Sequence, residues 1–106
     1  MTELILVMCT VGNLEEARVI CKGLVENKLV ACASIFPLIE SYFLWDKILE
    51  QTAEVKVFLK TKEELYPLVE RFIKEHHSYQ VPEILSLKIE KGNTEYVRWV
   101  TASVEI

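Results

Sequence analysis

The chain has 106 residues, of which 51% are apolar, and a formal net charge of −4. That is one domain's length with enough apolar side chains for its own core, and with Gly and Pro at only 3 each a disordered or linker-rich chain is excluded. The mildly acidic balance offers no footprint for a phosphate backbone and no apolar run reaches the ~18 residues of a membrane span, so neither nucleic acid nor bilayer is an expected partner and the cytoplasm is the expected compartment.

Residues 1–106 read as a single domain. Leu4-Ile5-Leu6-Val7-Met8-Cys9 is almost continuously apolar, the composition of a strand covered on both faces, and Glu3 to Thr10 is predicted as a central strand. Val11-Gly12 turns. Asn13 with Glu16 three residues later has capping-box spacing, so a helix is expected from about Leu14, with Ala17, Ile20, Cys21, Leu24 and Val25 on its inward stripe and Asn27-Lys28 at its end.

Ala31 to Thr61 then predicts two strands of unusual length joined by one tight turn. The first arm runs from Ala31 to Trp45 and is interrupted at Pro37, which cannot donate to a ladder and marks an edge strand or a bulge. The second runs from Ile48 to Lys60, where Val55, Val57 and Leu59 alternate with Glu54, Lys56, Phe58 and Lys60. At ~3.3 Å per residue each arm approaches ~45 Å, whereas strands are commonly 5 to 6 residues long. Part of the hairpin must overhang its own sheet, leaving Tyr42, Phe43 and Trp45 uncovered, and a partner chain is the simplest cover.

Pro67 is tolerated only in a helix's first turn, so the second helix is expected from near Glu64, with Leu65, Leu68, Val69, Phe72, Ile73 and His76 inward and His77-Ser78 at its end. Ile84 to Glu90 predicts a strand whose Leu85, Leu87 and Ile89 face the core and whose other face is wet. Lys91-Gly92-Asn93 turns and caps a last helix with Tyr96, Val97 and Val100 inward. The order β-α-β-β-α-β-α is an α+β, ferredoxin-like split βαβ arrangement, and right-handed crossovers give an antiparallel sheet ordered four, one, three, two.

No phosphate loop or nucleophile elbow is present, and Arg18, Arg71 and Arg98 all fall on predicted helices rather than in a loop after the first strand, so no enzyme class is indicated. Cys9, Cys21 and Cys32 match neither zinc nor disulfide spacing, and buried reduced thiols are the plain reading. His76 and His77 point about 100° apart on a helix and can share an ion only if the helix ends between them. The loop from His77 to Glu83 carries more polar function than a connection of its length needs.

Taken together, Ala31-Cys32, Tyr42-x-x-Trp45-x-Lys47-Ile48, Lys60-Thr61, His77-x-Tyr79-x-x-Pro82-Glu83 and Gly92-Asn93-x-x-Tyr96-x-x-Trp99 resemble the CutA divalent-ion tolerance family over essentially the whole chain. The resemblance implies a tight homotrimer similar in build to PII signalling proteins, formed through the long strands. It further implies copper contacts at Cys9, His76 and His77, and a polar ligand pocket at the subunit cleft built from Trp45, Lys60, Tyr79 and Glu83. Phe72 stands where some members carry a further cysteine. The implied function is tolerance to copper or other heavy metal ions; the alternative is a PII-like sensor binding a small anionic metabolite at the cleft.

Overall fold

The computed structural model describes residues 3–105. Four strands, β1 (Leu4–Val11), β2 (Cys32–Trp45), β3 (Ile48–Lys62) and β4 (Ile84–Lys88), form one antiparallel sheet in the order β2-β3-β1-β4. This is the expected order. Three helices, α1 (Leu14–Glu26), α2 (Tyr66–His76) and α3 (Thr94–Ser103), complete the α+β chain.

The helix starts follow local chemistry. Asn13 accepts a hydrogen bond from the Glu16 amide at 2.8 Å and Asn93 one from the Tyr96 amide at 3.0 Å, each satisfying an orphan donor of the first turn. Before α2 a single 3-10 turn over Glu63–Leu65 comes first, and Pro67 lies in the first turn of the helix proper. Thr61 stays in β3, fully buried, and donates its hydroxyl to the Leu29 carbonyl at 2.6 Å.

The core lies between the sheet and the α1–α2 layer, where Ile5, Val7, Cys9 and Val11 meet Val55, Val57, Leu59, Ala17, Ile20, Leu24, Val69 and Ile73. Burying each of the larger aliphatic side chains is worth ~1.5–3 kcal/mol. The inward stripes are narrower than their periodicity predicts: Val25, Leu68, His76 and Tyr96 are exposed. On α1 and α2, residues one step round the helix from the buried stripe fall past the contact, and Tyr96 lies on α3 beside Lys60.

The expectation for β4 is reversed. Leu85 pairs with Met8 and Leu87 with Leu6, which places both leucines on the sheet face opposite α1 and α2, where they are 53% and 55% exposed. Leu6 and Met8 are only half-buried there, so β1 is covered on one face in a single protomer. The wet face of this sheet is apolar: Phe36 and Phe58 meet edge-on at 5.0 Å on it, beside Leu6, Met8, Leu85 and Leu87. α3 packs at the base of β3, with Tyr96 5.8 Å from the Lys60 ammonium, and the chain then returns to the turn after α1 through Glu105 N–H to the Lys28 carbonyl.

β1 pairs with β3 no further than Val11↔Val55, so residues 48–54 of β3 pair with β2 alone. The hairpin overhangs by about 20 Å at the strand rise, within a molecule 45 Å long. It closes through Asp46 and Lys47, both with positive φ (50° and 65°), the two-residue turn whose twist suits a hairpin. The register slips between Phe36 and Ile39, where Pro37 sits, as expected for a bulge.

Candidate functional site

Beyond the end of β1, the sheet, the overhang and the loop from His77 to Glu83 meet around Thr10. Thr10 pairs with Lys56 across the ladder, and its backbone N–H donates to the Glu83 carbonyl at 3.4 Å. The Lys56 ammonium donates to Thr10 Oγ1 at 2.8 Å and to Glu83 Oε2 at 2.7 Å, while Thr10 Oγ1 donates to that same oxygen at 3.1 Å. Threonine therefore relays between the two charges, accepting from the lysine and giving to the carboxylate. Such charge-assisted bonds fix the approach of β4.

Tyr79 supplies the second part. Its phenol donates to Glu54 Oε2 at 2.6 Å, and its ring lies against Gly12, where an added Cβ would come within 3.1 Å of Tyr79 Cε1. Burial first, and the hydrogen bond to Glu54 second, push the phenol up to about 12, so it stays a donor. His77 anchors this loop to the strand: Nε2 donates to the Thr10 carbonyl at 2.7 Å, and Nδ1 accepts the Tyr79 amide at 3.0 Å. Ser78 adds a tie to α1, its N–H and Oγ both donating to the Glu16 carboxylate, at 2.7 and 3.0 Å.

Between this cluster and the overhang opens a cavity of about 860 Å³, whose lining includes Trp45, Glu50, Glu54, Tyr79 and Glu83. Three of the four pocket residues named from the sequence therefore share one cavity. Lys60 is not among them: within the protomer its ammonium lies 3.9 Å from Cys32 Sγ, toward the base of the sheet. Lys56 occupies the corresponding place near the cavity. Thr10, Glu54 and Lys56 escaped the sequence reading. The available signal was a break in pattern, namely a hydroxyl ending an apolar strand and a carboxylate directly before the buried run of β3.

The sequence pattern of the CutA1 divalent ion tolerance proteins matches residues 5–103. The chain belongs to this family. It is 41% identical to the divalent-cation tolerance protein CutA of Archaeoglobus fulgidus over 91% of this chain and 93% of that one. Among solved structures it is similar to CutA1 from Oryza sativa, at a TM-score of 0.95 and 34% identity, covering 97% of this chain and 94% of the other. A structure described as the periplasmic divalent cation tolerance protein CutA from Archaeoglobus fulgidus matches at a TM-score of 0.91 and 38% identity, over 99% of this chain and 100% of that one. Some relatives are longer, and the chain spans about half of the mouse Protein CutA (51%, at 35% identity over 86% of this chain).

For this CutA1 family member the three candidate copper contacts lie in three different settings. The Cys9 side chain is fully buried, and burial, then Glu83, push its thiol up to about 12, far from the thiolate a metal needs. His77 has both ring nitrogens engaged, as above. His76 is exposed and stacks on Phe72 at 4.1 Å, its Nδ1 donating to the Phe72 carbonyl at 2.8 Å. Its Nε2 has no hydrogen-bond partner among the described residues. The helix does end between the two histidines, yet each ring turns to a different backbone carbonyl. Among the described residues no three His, Cys, Asp or Glu side chains converge on a metal-sized point within the protomer.

Proposed function

We propose that the chain works in the cytoplasm as a homotrimer of PII-like build that binds divalent and heavy metal ions, copper among them, and that it is a binding protein rather than an enzyme. The observation that carries the assembly is the second apolar face: exposed Phe36, Leu85 and Leu87 with half-buried Leu6, Met8 and Phe58 lie on one side of the sheet, beside an overhanging hairpin that ends in exposed Trp45. Head-to-tail contacts that close into a ring also remove open strand edges. Support for metal ions as cargo comes from membership of a family named for divalent ion tolerance. Three unpaired thiols, Cys9, Cys21 and Cys32, support a reducing compartment. Among the described residues no helix is long and apolar enough to cross a membrane.

Copper is proposed to meet His76 first, because Nε2 of that exposed ring is the one donor of the three that an ion can reach without breaking a bond. Cys9 and His77 join only if the His77 hydrogen bond to Thr10 opens. The anionic-metabolite reading needs a free ammonium, and the protomer's cavity is lined by carboxylates, so Lys60 would have to arrive from another chain. Light scattering is expected to give three times 12.3 kDa, and a folded particle of 12.3 kDa overturns the assembly. Copper titration of wild type beside Cys9→Ser and a His76→Ala, His77→Ala double variant is expected to show the larger loss in the histidine variant. Equal binding by all three removes these residues as the site.

A further inference from the structure

His77 stands where α2 gives way to the loop that runs to Glu83, half-buried and already in extended backbone. Both of its ring nitrogens are in use, and the partners fix the tautomer. The Tyr79 amide, 3.0 Å from Nδ1, can only donate, so the ring's one proton stands on Nε2 and goes to the Thr10 carbonyl at 2.7 Å. We propose that His77 is a metal-operated latch: an ion on its ring and the closed setting of the 77–83 loop exclude one another, so that binding releases Tyr79 from the wall of the cavity. The inference rests on the metal reading above and deepens it, from which residues meet the ion to what the ion does to the fold.

A neutral imidazole has one proton and one in-plane lone pair, and a bound ion takes the lone pair. Entry at Nδ1 displaces the Tyr79 N–H directly. Entry at Nε2, the route on which Cys9 joins, opens the bond to Thr10 and moves the proton to Nδ1, where it faces the Tyr79 N–H, donor against donor. On either route the Tyr79 amide loses its acceptor, and the ring keeps its single proton. His76 is the contrast: its Nδ1 donates to Phe72 and its Nε2 has no partner among the described residues, so an ion there alone disturbs nothing in the loop.

Two of the ties on Tyr79 involve His77 itself, the amide bond and the tilted ring contact at 4.9 Å between centroids. The others are the phenol's 2.6 Å bond to Glu54 and the ring's place against Gly12. Upstream, Ser78 stays tied to the Glu16 carboxylate, and downstream Glu83 stays tied to Lys56. Opening is therefore confined to the stretch between them, where Tyr79, Gln80 and Val81 line the cavity. Such coupling is reciprocal, so whatever weakens the closed loop strengthens the ion's hold by the same factor.

Backbone hydrogen exchange of the assembled protein, read in fragments spanning 77–83 with and without saturating cupric chloride, tests this beside His77→Phe. In wild type the Tyr79 amide is expected to exchange about tenfold faster or more when copper is added, while amides of β1 and β3 hold. In His77→Phe, which offers it no acceptor, that amide should exchange fast from the start and ignore copper. Calorimetric titration gives the reverse reading: Tyr79→Phe, which loses the Glu54 bond and supplies no ligand, should bind copper severalfold more tightly than wild type. A merely structural role for Tyr79 predicts no such gain. Copper binding with unchanged or slower exchange at Tyr79 overturns the latch and leaves the metal reading standing, with the ion on His76 alone. Absence of copper binding overturns both. Equal or weaker binding by Tyr79→Phe overturns the coupling, whether or not His77→Phe folds.

Discussion

Tyr79→Phe removes a single oxygen and keeps the ring against Gly12, which makes it a clean probe of the cluster around Thr10. Among the described residues the lost hydroxyl is the one donor to the side chain of Glu54, a residue 7% exposed, and its oxygen lies 2.6 Å from the carboxylate. A hydrogen bond to a charged acceptor contributes ~1.5–3 kcal/mol, and water entering from the cavity restores part of it, which puts the expected loss near the lower end, ~1.5 kcal/mol. For a domain of this size that lowers Tm by about 6–12 °C. Calorimetry at one fixed protein concentration is the assay, because association makes Tm depend on concentration. Combining Tyr79→Phe with Glu54→Gln should recover ~0.5–1 kcal/mol relative to the sum of the single changes, since the two groups act on each other. A Tm within ~2 °C of wild type, with the two changes simply additive, would show that the phenol contributes nothing and that the loop is held by His77 and Ser78 alone.

Stability should fall as pH rises above 9. The folded values of Cys9 (about 12, against 9.0) and Tyr79 (about 12, against 10.0) lie above the unfolded ones, so the native state keeps protons that the unfolded chain releases. The contribution is whole below pH 9 and is lost by about pH 12. Tm measured from pH 8 to 12 checks this, and Cys9→Ala should flatten the decline; parallel curves would refute the assignment to that thiol. Trp45→Ala, at an overhang with no core of its own to fill, is expected to weaken assembly by ~2–4 kcal/mol and to shift mass toward smaller species on dilution. Unchanged mass and Tm would leave the tip free in solvent.

The sheet order was legible because two strands carry their position in their composition: Pro37 forces β2 toward an edge, and the apolar run of β1 forces it inward. The side of β4 was not. Alternation of Leu85 and Leu87 with Ser86 and Lys88 reveals two faces but not which one the helices cover, and that depends on pairing with Leu6 and Met8, far away in sequence. The same holds for the site. Trp45, Tyr79 and Glu83 stand out as polar or aromatic excess in their segments, whereas Thr10 and Lys56 acquire their role only from a register that sets them side by side. The two histidines mislead for the opposite reason. Adjacency in sequence suggests a shared ion, but a helix end beside a strand end offers each ring its own carbonyl.

Pro37 and Leu38 also act as a change of parity. Below them the even-numbered residues of β2 stand opposite the even-numbered residues of β3, as Phe36 does to Lys56; above them it is the odd ones, Ile39 to Glu54, Ser41 to Thr52 and Phe43 to Glu50. One inserted residue thus interchanges inside and outside for the whole distal half of the strand. A single deletion at Leu38 would straighten the ladder and turn Ser41, Phe43 and Trp45 to the opposite side, taking Phe43 and Trp45 out of the cavity wall and bringing Leu44 toward it instead. The proximal half of the hairpin would keep its arrangement. The sequence of the tip is therefore written in a reading phase that only the kink below it makes sense of.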